Sequence, residues 1–188
     1  MIRKLMQTSM VLVISLGFTA FSAGAQSGTP TGTTSLSCTV GAEAGLTVAA
    51  TSTMSVVGSN FANFTGSTAL TYFVRTTAAT GAGSITAKVT TDFTPTGGPS
   101  VATPPTAGDT LTYTSSGTAP GNSATGSVMA FTGVTASTSA QTSVATFGAD
   151  NRSASAGNNE AVAWTLTNDP KYKTGSYAAT VTFTISAT

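Results

Sequence analysis

Acid, base and nucleophile chemistry has little to work with in this chain. Its 188 residues include six Asp or Glu, seven Lys or Arg, no His and a single Cys, Cys38. Without His, a Ser-His-Asp triad and His-ligated zinc are both impossible, and one Cys cannot build a metal cage. Serine is plentiful, but none sits in a G-x-S-x-G elbow, and no S-x-x-K spacing pairs Ser with Lys88, Lys171 or Lys173. Glu43, Asp92, Asp109, Asp150, Glu160 and Asp169 are scattered along the chain. They are expected to be solvated surface charges, with no catalytic residue and no bound cofactor among the expectations.

Two further groupings could hold a ligand. Asp150, Asn151, Asn158, Asn159 and Glu160 fall in one predicted loop and offer oxygen donors suited to Ca²⁺. Their spacing matches no EF-hand or nonapeptide pattern, so a polar turn explains them equally well. Phe61 and Phe64, flanked by Asn and Gly, could form a stacking surface for sugars, with Tyr113 as a further loop aromatic.

The segments that must position these residues are read from the ends inward. Arg3 and Lys4, the apolar run from Met10 to Phe21 and the small residues Ala23-Gly24-Ala25 predict a signal peptide over 1–25. Residues 26–34 read as a flexible leader, and 35–188 as one domain. No later stretch is apolar enough to span a bilayer as a helix. The predicted path is export out of the cytoplasm.

Alternation of period two dominates the rest, and no helical stripe appears. Leu36, Cys38 and Val40 share one parity, which predicts a strand with Cys38 facing a core or, alternatively, a donor strand for another copy. Leu70, Tyr72 and Val74 share a face, as do Ile85, Ala87 and Val89. Short strands are expected over 46–50, 54–57, 110–114, 128–132 and 143–147. Trp164 and Leu166 are candidate core residues of a strand over 161–167. Tyr177, Val181, Phe183 and Ile185 are candidate core residues of a strand over 176–188, the longest alternating run. Pro95 to Pro105 must be a loop. Roughly nine strands separated by Gly- and Pro-rich turns predict an all-β sandwich or barrel.

Composition adds a second expectation. Thr, Ser, Ala and Gly number 40, 23, 29 and 20. Within the predicted strands the only basic residues are Arg75 and Lys88. Five basic residues after signal removal cannot neutralise a phosphate track, so no nucleic-acid partner is expected. Strand edges are normally guarded by Lys or Pro, and edges this sparsely charged favour pairing with another chain.

The signal peptide, the leader, the Thr/Ala/Gly-rich strands and the closing GSYAATVTFTISAT strand together resemble bacterial fimbrial subunits of the chaperone–usher and spore-coat-U-like kind. That resemblance implies an all-β, immunoglobulin-like antiparallel β-sandwich that is incomplete, and passage through a periplasm to the cell surface or beyond. It also implies a periplasmic chaperone and an outer-membrane assembly protein as partners, and polymerisation by strand exchange. Trp164-Thr165-Leu166 also resembles the W-x-L tripeptide of wall-associated domains. The expected function is a secreted structural subunit of a fibre, pilus or matrix. A secreted carbohydrate- or surface-binding module is the alternative.

Overall fold

The computed structural model describes residues 31–121 and 126–188. The predicted signal peptide and the first part of the leader lie outside the described residues. Two compact units emerge, 1–38 and 39–188. In the first, residues 31–38 have no regular structure and are exposed.

The second unit is a two-sheet antiparallel β-sandwich of nine strands, with no helix among the described residues. The strands are β1 (Glu43–Val48), β2 (Ser55–Val56), β3 (Phe64–Arg75), β4 (Gly83–Thr94), β5 (Leu111–Gly117), β6 (Val134–Thr135), β7 (Thr142–Phe147), β8 (Asn158–Leu166) and β9 (Ala178–Ala187). One sheet runs β1-β3-β8-β5-β6, with β2 also pairing β3; the other runs β7-β4-β9.

Alternation builds the core. In β3, Thr68, Leu70, Tyr72 and Val74 are buried; in β4, Ile85, Ala87 and Val89 are; in β8, Val162, Trp164 and Leu166 are. These inward faces meet, and apolar area removed from water is the main stabilising term. Aromatic rings fill the centre. Tyr113 and Trp164 lie 5.1 Å apart edge-to-face, Trp164 and Phe183 lie 6.4 Å apart, and Tyr72 packs on Phe147 at 5.1 Å. Their polar tips are satisfied. Trp164 Nε1 donates to Thr68 Oγ1 at 2.9 Å, and the Tyr113 hydroxyl donates to the Ser143 carbonyl at 2.8 Å. The ladder between β4 and β9 shifts register between Val89 and Thr91 and again before Thr94, so β4 bends as it leaves the core.

Several expectations are corrected. Residues 35–40 form no strand, and Cys38 is exposed rather than core-facing. An alternating segment becomes a strand only when a neighbour's edge accepts its backbone, and no ladder includes it. The strand expected over 128–132 is a single bridge between Val128 and Thr146; the true ladder lies further on, at β6. Tyr177 precedes β9 and is half-buried, with its hydroxyl donating to the Lys173 carbonyl at 2.7 Å. Residues 95–105 are loop, entered through a cis Thr94–Pro95 peptide.

Candidate functional site

The two sides of the sandwich are finished differently. On the β5–β7 side the connection through residues 126–137 stitches the sheets together. Val128 and Thr146 exchange backbone hydrogen bonds of 3.0 and 2.8 Å. The Ser115 amide donates to the Phe131 carbonyl, and Ser115 Oγ donates across the core to the Val144 carbonyl at 2.7 Å. The Val89 amide reaches the Ser137 carbonyl. This side is sealed.

On the other side, β1 pairs only with β3 and β9 only with β4. Among the described residues no ladder joins β1 to β9. The outer backbone of β9 therefore joins no ladder and is an edge of its sheet, with β1 of the other sheet coming within 8 Å of it. Its core-facing side chains, Val181, Phe183, Ile185 and Ala187, pack on the core but stay half-buried. Their β4 partners Val89, Ala87 and Ile85 are at most 2% exposed. The difference arises because a β4 side chain is flanked by strands on both sides and a β9 side chain on one. Outward-facing Thr180, Thr182, Thr184 and Ser186 carry no charge along this edge.

A segment of complementary pattern is available. Leu36 is 90% exposed and Val40 66%, with Cys38 exposed between them. They alternate with Ser35, Ser37 and Thr39 and belong to no ladder, so this segment presents an apolar face and an unpaired backbone.

The other sequence-derived candidates scatter. Trp164 and Leu166 are 5% exposed core residues of β8. Tyr113 is buried in β5 rather than standing in a loop, because its parity faces the opposite sheet. Phe64 opens β3 and packs partly on the core. Phe61 alone is open, 61% exposed, with a left-handed φ of 59°. That conformation is uncommon for a bulky residue.

The 150–160 stretch is not one loop. Asn158, Asn159 and Glu160 already belong to β8. Asp150, Asn151 and Asn158 spend side-chain oxygens on internal bonds. Asp150 pairs with Arg152 at 2.7 Å, and Ser127 Oγ donates to Asn151 Oδ1. Asn158 Oδ1 accepts from the Ala154 amide at 2.8 Å, while its Nδ2 donates to the Ala119 carbonyl at 2.9 Å. No group of three or more His, Cys, Asp or Glu converges among the described residues.

Glu160 breaks the expectation that the acids are solvated. It is 2% exposed, faces the sandwich interior from β8, and neither carboxylate oxygen has a hydrogen-bond partner. Burial pushes its pKa up to about 8. Tyr72 is pushed up to about 12, by burial first and the nearby Glu160 charge second, with a hydrogen bond to Asn158 opposing. The parity of β8 was the available signal: Glu160 shares it with Val162, Trp164 and Leu166. Asp92 shows the opposite behaviour. Burial would raise its pKa, but hydrogen bonds from the Val101, Ala102 and Phe93 amides and from Ser100 Oγ hold it below its ordinary value.

Two shallow clefts flank the loop before β8. One, of about 540 Å³, is lined by Thr118, Ala119, Arg152 and Asn158 among others; the second, of about 480 Å³, by Glu43, Phe73, Arg75 and Arg152 among others. No helix of the described residues is long and apolar enough to cross a membrane. No protein family, curated protein or solved structure matches this chain.

Proposed function

We propose that this protein is a secreted structural subunit of a surface fibre, pilus or extracellular matrix, joined copy to copy by β-strand addition at β9. The observation that carries the reading is the contrast between the two sides of the sandwich. The β5–β7 side is sealed by its own connection, whereas β9 offers a free edge above half-covered Val181, Phe183 and Ile185. A fourth strand laid on β9 would satisfy its unpaired backbone and cover that apolar strip.

The donor in this reading is the segment around Leu36, Cys38 and Val40 of a second copy. Each large side chain buried there contributes about 1.5–3 kcal/mol, in addition to the new backbone ladder. Such an edge must be shielded before assembly, which is the role assigned here to a periplasmic chaperone, with an outer-membrane assembly protein delivering subunits. Export by the predicted signal peptide brings the chain to that compartment.

The test removes the donor and then returns it. Deleting residues 26–42 should leave a folded monomer that forms no filaments by electron microscopy. A synthetic peptide of residues 33–42 should bind that monomer and raise its melting temperature. Filaments indistinguishable from those of the intact chain would overturn the reading.

A further inference from the structure

Apart from the β9 edge, the outer face of the larger sheet carries one exposed aromatic set in a built surround. Phe73 points outward from β3, 38% exposed, between the core-facing Tyr72 and Val74. Its cross-strand partner on β1 is Gly45, and on its other flank lies Gly157. A methyl on Gly45 would meet Phe73 Cδ2 at 3.6 Å, and one on Gly157 would meet Cζ and Cε1 at 3.0 and 3.1 Å. The ring thus stands between two residues that have no side chain to lie against it. Gly157 also adopts a φ of 83°, which lets the loop before β8 approach this closely.

A row of polar groups borders the ring on the same face of the sheet. Arg75 follows Phe73 by two residues, and its Nη2 contacts Glu43 Oε2 on β1 at 2.5 Å. Arg152 is the bridge partner of Arg75 from the other side, and pairs with Asp150 at 2.7 Å. The order across the surface is Glu43, Arg75, Arg152, Asp150, and the four charges cancel. All four side chains remain partly open, between 40% and 71% exposed. With Phe73 and Ser153 to Ser155, three of them line the cleft of about 480 Å³. That size lies within the range of small-ligand sites.

The geometry points to a neutral-saccharide site in this cleft, with a pyranose ring stacked on Phe73 and its hydroxyls bonded by the Arg75–Glu43 pair and by Arg152, whose charge Asp150 balances. A sugar ring has an apolar C–H face that matches an uncovered aromatic and equatorial hydroxyls that both donate and accept. Paired Arg and carboxylate groups supply both roles at fixed positions. Because the charges cancel, a polyanion gains nothing by electrostatics, and the face selects against one near either carboxylate. The site lies on the outer face of β1, β3 and the loop before β8, a different surface from the core-facing strip of β9, and does not depend on strand addition.

Affinity electrophoresis of the purified protein through gels containing xylan, galactomannan, amylopectin or a mixed-linkage β-glucan tests this. Retardation by at least one of these is expected, with none by polygalacturonate. Phe73→Ala should weaken retardation tenfold or more, and Phe73→Trp should retain it. Phe61→Ala, which removes a more exposed aromatic elsewhere, should leave it unchanged. Circular dichroism melts of each variant identify any that fail to fold. Passage of the intact protein through all four neutral gels unretarded would overturn the proposal, as would equal retardation of folded Phe73→Ala.

Discussion

The carboxylate of Glu160 occupies the space that a side chain on Gly117 would fill, directly across the ladder between β5 and β8. A methyl at Gly117 would also stand 2.6 Å from the Asn159 carbonyl oxygen. Gly117→Ala is therefore expected to destabilise the fold by about 1–3 kcal/mol, the range for overpacking a tight site. Combining it with Glu160→Ala should recover only part of that loss, because the clash with the Asn159 carbonyl remains. Urea melts of the two single variants and the double variant measure the coupling; strict additivity would show that the two residues do not compete for space.

Glu160 also sets a pH dependence. Its folded pKa of about 8 stands above the ordinary 4.5, so the folded state holds the proton more tightly than the unfolded chain. Its stabilising contribution is fully present below pH 4.5 and is lost as pH rises through 8. Each pKa unit is worth about 1.4 kcal/mol, so the loss amounts to a few kcal/mol. Tyr72, the titrating group beside it, ionises near 12 and stays neutral throughout that window. Urea midpoints at pH 5, 7 and 9 should fall for the parent and stay nearly level for Glu160→Gln. Parallel slopes for the two proteins would remove Glu160 from the explanation.

Trp164 ties the two sheets together at their centre, touching Tyr113 in its own sheet and Phe183 in the other. Trp164→Ala is expected to cost about 3–5 kcal/mol. Thr68→Val keeps the volume but removes the acceptor of the indole N–H and the partner of Ser52 Oγ, and should cost about 1–3 kcal/mol. Calorimetric melts separate the packing and hydrogen-bond contributions. Equal losses for the two would mean that burial of the ring adds nothing beyond its hydrogen bond.

The alternating runs made β3, β4, β8 and β9 legible before any coordinates, because a half-buried strand writes its burial into every second residue. Pairing partners were not legible. Leu36, Cys38 and Val40 carry the same pattern as Val181, Phe183 and Ile185, yet only the second set finds an edge in its own domain. The same limit hides the contrast between the two sides of the sandwich. That β9 is a free edge and β7 is capped by Val128 depends on which strands lie next to each other, not on the composition of either. Glu160 is hidden for a different reason: its charge predicts a solvated position, whereas its parity with Val162, Trp164 and Leu166 turns it inward. Phe73 carries no site signal of its own in the sequence, since its surround of Gly45, Gly157, Arg75 and Arg152 forms only when β1, β3 and the loop before β8 come together.

Asp92 organises the loop that follows β4. One carboxylate oxygen accepts the Phe93 and Val101 amides at 2.8 Å each, and the other accepts the Ala102 amide at 3.0 Å and Ser100 Oγ at 2.7 Å. Its depressed pKa means that this contribution is present above its ordinary value and is lost as pH falls through the folded one. Asp92→Ala should cost about 1–3 kcal/mol and free the loop. Hydrogen exchange at Val101 and Ala102 should quicken while that at Val162 in β8 falls only with global stability. Unchanged protection at both amides would show that the loop is held by other contacts.

The free edge of β9 permits a test that leaves the core untouched. Thr180 and Thr184 face outward on this strand, and both are exposed. Lysine at these two positions places charge beside any strand that pairs with β9, the device by which soluble sheets guard their edges. Surface changes of this kind usually move stability by no more than about 0.5 kcal/mol. The doubly substituted monomer should melt as the parent does, yet assemble at least tenfold more slowly in sedimentation and electron-microscopy assays. Lysine at Ala163 supplies the control. That residue is exposed on β8, which has β3 on one side and β5 on the other and so presents no edge. If charge acts by guarding β9, Ala163→Lys assembles normally. If charge merely raises repulsion between copies, a second control lysine at Ser116 with the first should slow assembly as much as the β9 pair does, and the strand-addition reading loses its support.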